Sequence, residues 1–134
     1  MLVERYSAPG RMPELRSGTF TGKAWLERVL GAEGVNVNSV FFEPGGRTYW
    51  HRHRGGQLLL VSNGLGLVAT RSDGRLVRPG DVVHSPPDEE HWHGASPGAY
   101  LAHTAVSLGM TDWLEEVDPG QYEATWEAAS AAQH

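Results

Sequence analysis

The chain reads as an all-β protein, a sandwich or barrel of short strands with helical turns only at its C-terminus. Three observations predict this. Seventeen glycines and eight prolines among 134 residues break the sequence at short intervals, which favours brief strands over long helices. Between the breaks the residues are β-branched, aromatic, or alternately apolar and polar, the pattern of half-buried strands. The length is that of one domain, and 40% hydrophobic content is enough to build a core.

Taken in order, residues 1–16 are polar, carry Pro9 and Pro13, and read as an irregular arm. From Phe20 to Leu30 the pattern fits either regular structure; Thr19, Phe20 and Thr21 tilt it to strand. Gly31 to Gly34 form a turn, and Val35 to Phe42 a strand closed by Pro44-Gly45-Gly46. Thr48 to His53 is the next strand, with Tyr49 on the same face as His51 and His53. Gly55-Gly56 reverses the chain into Gln57 to Val61, which ends at Asn63-Gly64. Gly66 to Thr70 and Arg75 to Val77 flank a hairpin turn at Ser72-Asp73-Gly74. Pro79-Gly80 suits a type II turn before Val82-Val83-His84. His91-Trp92-His93 and Tyr100 to Leu108 complete the strands. Two helices follow: Thr111 caps one over Asp112 to Val117, and Asp118-Pro119-Gly120-Gln121 opens a second with a capping-box arrangement. The expected organisation is an arm over 1–17, a barrel over 18–110 and a helical extension over 111–134.

Composition narrows the functions. Net charge is −5 and no basic run exceeds two residues, which argues against nucleic acid and anionic membranes as partners. There is no cysteine, so disulfides are excluded and a metal must be held by nitrogen and oxygen. That leaves Mn²⁺, Fe²⁺, Ni²⁺ or Zn²⁺ as candidates. The first ten residues lack the basic-then-apolar pattern of a secretion signal, and a cytoplasmic location is the expectation.

The most informative pattern is Gly45-x5-His51-x-His53-x3-Gln57-x6-Gly64, with His91 further on. Residues i and i+2 of a strand share a face, so His51 and His53 project together. Two imidazoles with an amide opposite are a donor set for a first-row metal. His93 stands two residues beyond His91 and faces the same interior. It is open to being a fifth ligand, but the roughly 7 Å repeat along a strand favours leaving it free beside the ion, as a proton acceptor or donor. His103 falls on the Leu101, His103, Ala105, Ser107 face of the last strand. Tyr49 is a candidate to orient substrate oxygen, and Val40, Phe42, Leu59 and Val61 are candidates for an apolar wall. His84 reads as packing or surface, and Asp88-Glu89-Glu90 as a solvated loop.

These residues resemble the cupin family. The first cluster is similar to the first cupin motif, with Gln57 where a glutamate is usual. The second motif is present as Gly80-x5-Pro86-Pro87-Asp88-x2-His91-x3-Ala95, with its second glycine and its asparagine replaced. Phe42-Glu43-Pro44-Gly45, Gly56-Gln57, Gly80-Asp81-Val82-Val83, His91-Trp92-His93-Gly94-Ala95, Asp112-Trp113-Leu114-Glu115 and Gln121-Tyr122 resemble small bacterial cupins of the carboxymuconolactone-decarboxylase-like and manganese-dependent hydroxynitrile lyase type. The resemblance spans about residues 18 to 122. It implies a double-stranded β-helix (jelly roll), a metal, manganese first, on His51, His53, Gln57 and His91, and His103 in the pocket. It also implies a homodimer or homotetramer acting on a small-molecule substrate.

Three imidazoles and an amide leave the charge of a divalent ion uncompensated, and four ligands leave part of its coordination sphere open. Taken with the resemblance, this makes the expected function a metal-dependent lyase, with hydroxynitrile-lyase-like cleavage of a C–C bond and a histidine base. Alternatives are an Fe- or Ni-dependent dioxygenase, an isomerase or decarboxylase, and a non-catalytic ligand-binding barrel.

Overall fold

Alternation of side chains, fixed by the pleat, divides this chain into an inward and an outward set before any tertiary contact is considered. The computed structural model describes residues 1–132, so Gln133 and His134, the end of the expected extension, lie outside the described residues. Its strands are β1 (Glu14–Leu15), β2 (Phe20–Thr21), β3 (Ala24–Ala32), β4 (Val35–Phe42), β5 (Arg47–Thr48), β6 (His51–His53) and β7 (Gln57–Gly64). They continue with β8 (Gly66–Thr70), β9 (Gly74–Val77), β10 (Val82–Ser85), β11 (His91–Ala95), β12 (Leu101–Leu108) and β13 (Thr111–Trp113), and the chain ends in α1 (Pro119–Ala131).

One six-stranded sheet runs β1-β3-β4-β12-β7-β10. The other runs β13-β6-β11-β5-β2, with β8 on the opposite edge of β11 and β9 beyond it. From β4 onward the chain passes repeatedly between the sheets, which is the connectivity of a jelly roll. β12 sends Leu101, His103, Ala105 and Ser107 inward, and β7 does the same with Gln57, Leu59 and Val61. Register then stacks these into rows. Leu26, Val40, His103 and Val61 form one, and Arg28, Asn38, Ala105 and Leu59 the next. Asn36, Ser107 and Gln57 form a third. The interior is thus apolar at one end, where Ala24, Phe42, Val61, Val77, Ala95 and Leu101 cluster, and polar at the other.

Two glycines make the crossing possible. Gly56 has φ +91°, and a Cβ there would lie 2.8 Å from Ser85 O. At Gly94 a Cβ would lie 2.5 Å from Gly46 O, so only glycine lets β5 approach β11 this closely.

The outer face of the second sheet needs a cover, and α1 supplies it. Trp50, Leu67, Ala69, Trp92 and Val117 pack with Tyr122 and Ala129 of the helix. Tyr122 Oη donates to Ala95 O at 2.6 Å, and the Arg47 guanidinium stacks 4.4 Å from its ring while donating to Val117 O. Asp118 caps α1 as expected, accepting from Gln121 N at 2.8 Å. The reciprocal half of the capping box is absent, because the Gln121 amide oxygen accepts from Trp50 Nε1 instead.

The helix expected over Asp112 to Val117 is not formed. Thr111–Trp113 is β13, paired with β6 through Thr111↔His53 and Trp113↔His51. A six-residue helix has little stability of its own. The ladder to β6 satisfies the same backbone groups and sets the Trp113 ring, still exposed on its other side, against His51 and Phe20. The arm is also less irregular than expected: β1 pairs with β3, and Arg11 reaches the buried Glu27 at 2.8 Å. No helix among the described residues is long and apolar enough to cross a membrane.

Candidate metal centre

β6 and β11 lie side by side with His51 opposite His91, so alternation directs His51, His53, His91 and His93 into one volume while Trp92 points out to α1. The ring centroids of His51 lie 4.3 Å from His91, 5.0 Å from His53 and 5.2 Å from His93. One nitrogen from each of His51, His91 and His93 falls within 4.8 Å of the others, close enough for a single cation.

Backbone carbonyls fix two of these rings. His51 Nδ1 is 2.8 Å from Tyr49 O, and His91 Nδ1 is 2.9 Å from Glu89 O. A carbonyl can only accept, so both Nδ1 atoms carry the proton and both Nε2 atoms present a lone pair. His53 Nδ1 meets Thr111 Oγ1 at 2.8 Å, and its Nε2 is buried with no partner. His93 Nδ1 meets His103 Nε2 at 3.1 Å, and His93 Nε2 is likewise buried and unpartnered. Gln57 Nε2 donates to Ser107 Oγ at 3.0 Å, which turns Oε1 towards His91 Nε2 at 3.1 Å. Two acceptors therefore face each other across that gap. A cation between them, or rotation of the amide, resolves the contact.

Burial sets the charge state. Desolvation, reinforced by the neighbouring rings, holds His51 and His93 well below the usual imidazole range, and desolvation lowers His91 against the opposing pull of Glu89. It brings His53 and His103 to about 4. All five rings are neutral near neutral pH, as metal coordination requires.

A cavity of about 260 Å³ opens onto His51, His53, Gln57 and His93. Val40 lines it as expected. Phe42 and Leu59 do not, which corrects their expected place on its wall, and neither does Tyr49, which corrects its expected place beside a substrate oxygen. The pleat is reset between β5 and β6, so Thr48 faces the cavity, Trp50 packs outward and Tyr49 contributes only its carbonyl. Phe42 lies beneath, edge-on to His93 at 5.9 Å. Leu59 faces a separate cavity of about 500 Å³ between β10 and the β8–β9 hairpin, which His84 and His91 also line. His103 sits behind His93, fully buried, and lines neither cavity. Sequence reasoning missed Trp113, 4.7 Å from His51, and Thr111, because both fell in the segment read as helix. Ser107, Arg16, Arg28 and Asn38 were missed too. The inward alternation of β12 carried a signal for Ser107; for Arg16 there was none.

A jelly-roll barrel with converging neutral imidazoles defines the class, a small β-barrel whose clustered histidines could hold a divalent ion. The comparisons make it more definite. Residues 38–102 match the family model described as "Cupin domain". Over 112 residues the chain is 46% identical to an (R)-mandelonitrile lyase from Granulicella tundricola, covering 77% of this chain and 85% of that one. A cupin-like protein from Thermotoga maritima superposes with a TM-score of 0.78 at 39% identity, over 81% of this chain and 89% of that one. At the level of fold alone, a polyketide cyclase from Streptomyces resistomycificus matches with a TM-score of 0.71 at 18% identity, covering 96% and 99% of the two chains. The chain belongs to the cupin family.

Proposed function

We propose that this cupin is a metal-dependent lyase that cleaves hydroxynitriles into an aldehyde and hydrogen cyanide. The observation that carries it is the set of buried, neutral imidazole nitrogens without partners at the floor of a cavity. The 46% identity to a mandelonitrile lyase supports the reaction class.

The residues that would hold the ion are His51, His53, His91 and Gln57. His53 Nε2 has no other use, and Gln57 Oε1 already faces a lone pair. Manganese is the metal proposed, and when bound the ion supplies Lewis acidity towards the substrate oxygen. His93 then serves as the base. The role requires the tautomer in which His93 Nδ1 donates to His103 Nε2, which leaves a lone pair on the unpartnered His93 Nε2. That nitrogen takes the hydroxyl proton, the O–H electrons form the carbonyl, the C–C electrons leave with cyanide, and His93 returns the proton to cyanide. His103 acts through His93, holding its tautomer and orientation. Val40, Phe20 and Trp113 supply an apolar wall for the aryl or alkyl group.

The test is cyanide release from mandelonitrile by manganese-loaded protein and by His51→Ala. Turnover lost in the variant supports the reading; no turnover in either, or equal turnover in both, overturns it. Because nitrogens of His51, His91 and His93 all lie within 4.8 Å of one another, metal content of His53→Ala and His93→Ala assigns the remaining roles. The reading requires metal lost in the first and kept, without turnover, in the second.

A further inference from the structure

The cavity above the histidines carries a charge that the metal reading leaves unused. Arg16 and Arg28 line it together with Asn36 and Asn38, and no aspartate or glutamate does. This occurs in a chain with sixteen acids against eleven lysines and arginines. Arg11, Arg52, Arg54, Arg71 and Arg75, by contrast, each pair with a carboxylate, and Arg47 donates to Val117 O and Gly45 O. Among the described residues Arg16 and Arg28 form no side-chain hydrogen bond and no ion pair, and Arg16 Nε is buried without an acceptor.

The sheet explains how they come to the cavity. Arg28 stands opposite Asn38 on β3–β4, and Asn38 opposite Ala105 on β12, so the arginine continues an inward-facing row of a cavity-lining strand. Arg16 follows β1, its backbone N–H bonded to Ala24 O. A guanidinium facing a cavity, with its donors free, matches the planar fork of a carboxylate. Phe20, Leu26, Val40 and Trp113 supply the apolar surface beside it.

We propose that Arg16 and Arg28 form a carboxylate-binding subsite at the metal-site cavity. The preferred substrate is then a small organic acid with an aryl or alkyl body. Its carboxylate lies at the arginines while its reacting carbon faces the histidines. This rests on the cavity being the substrate site proposed above, but not on which bond is cleaved there.

Calorimetric titration of the metal-loaded protein with benzoate and with benzamide, its neutral isostere, tests the subsite. Benzoate binds about tenfold or more tightly than benzamide, the strength of a charge-assisted pair. Arg28→Gln, at an exposed position that tolerates substitution, lowers benzoate affinity by a similar factor, leaving benzamide affinity and metal content unchanged. Arg16→Gln does the same, with a thermal melt to check its fold. Equal affinity for the two probes, no benzoate binding, or unchanged benzoate affinity in both variants overturns the subsite; the last would put the carboxylate on the metal instead. No catalytic turnover enters these readouts, so failure of the lyase reading with mandelonitrile leaves them intact, and the converse holds.

Discussion

His53 is gripped from one side only. Thr111 Oγ1 meets its Nδ1, and its Nε2 points into the protein with nothing to bond. Partners of this kind orient a ligand imidazole, and losing one typically lowers metal affinity by about 10–100-fold. Thr111→Val keeps the shape and removes the hydroxyl, so we expect metal affinity to fall about tenfold by competition with a chelator while the fold persists. Gln57 offers the complementary experiment. Gln57→Glu adds one negative charge beside the ion, so metal is retained but Lewis acidity, and with it turnover, falls. A variant that binds no metal would instead remove Gln57 from the ion's surroundings. At this scale the sequence was most legible where spacing alone orients a side chain: His51 with His53, and His91 with His93, point inward because they are two residues apart. It was least legible at Tyr49. The same count of two placed its ring beside His51, but a break between Thr48 and His51 shifts the pleat and leaves only its carbonyl at the site.

Elements were legible where local chemistry decides them. Asp118, Pro119 and Gln121 set the start of α1, and the cap forms. Asp118→Ala should therefore cost about 1 kcal/mol, the usual value of an N-cap, read as a lower thermal midpoint with little change at the metal site. β13 shows where that logic stops. Thr111 and Asp112 carry the same capping signals, yet the segment pairs with β6, a strand nearly sixty residues earlier in the chain. Its Asp112 accepts from both Arg52 and Arg54, and its Trp113 covers His51. Nothing within the segment reports those partners.

Over the whole molecule, burying five imidazoles couples folding to pH. The unfolded chain takes up protons near 6.5, whereas His53 and His103 in the folded protein hold out to about 4. Between those values the unfolded state binds more protons, so stability is full above about pH 6.5 and falls as pH drops towards about 4. Each of these two rings accounts for on the order of 3 kcal/mol of that loss. Thermal melts of chelator-treated protein across this range check the direction; stability that rises on acidification contradicts it. Added divalent metal should raise the midpoint at neutral pH, and by less as protons compete for the same nitrogens.

What the sequence determined by itself was an all-β chain with four inward histidines on two strands and a capped terminal helix. These follow from periodicity and local hydrogen bonding, which act within a few residues. What only the tertiary structure decided was which distant strands became neighbours. Sheet register brought Thr111 to His53, Ser107 to Gln57 and Arg28 into line with Asn38. Register is set by the burial of whole faces and by turns across the barrel, so no short stretch of chain encodes it.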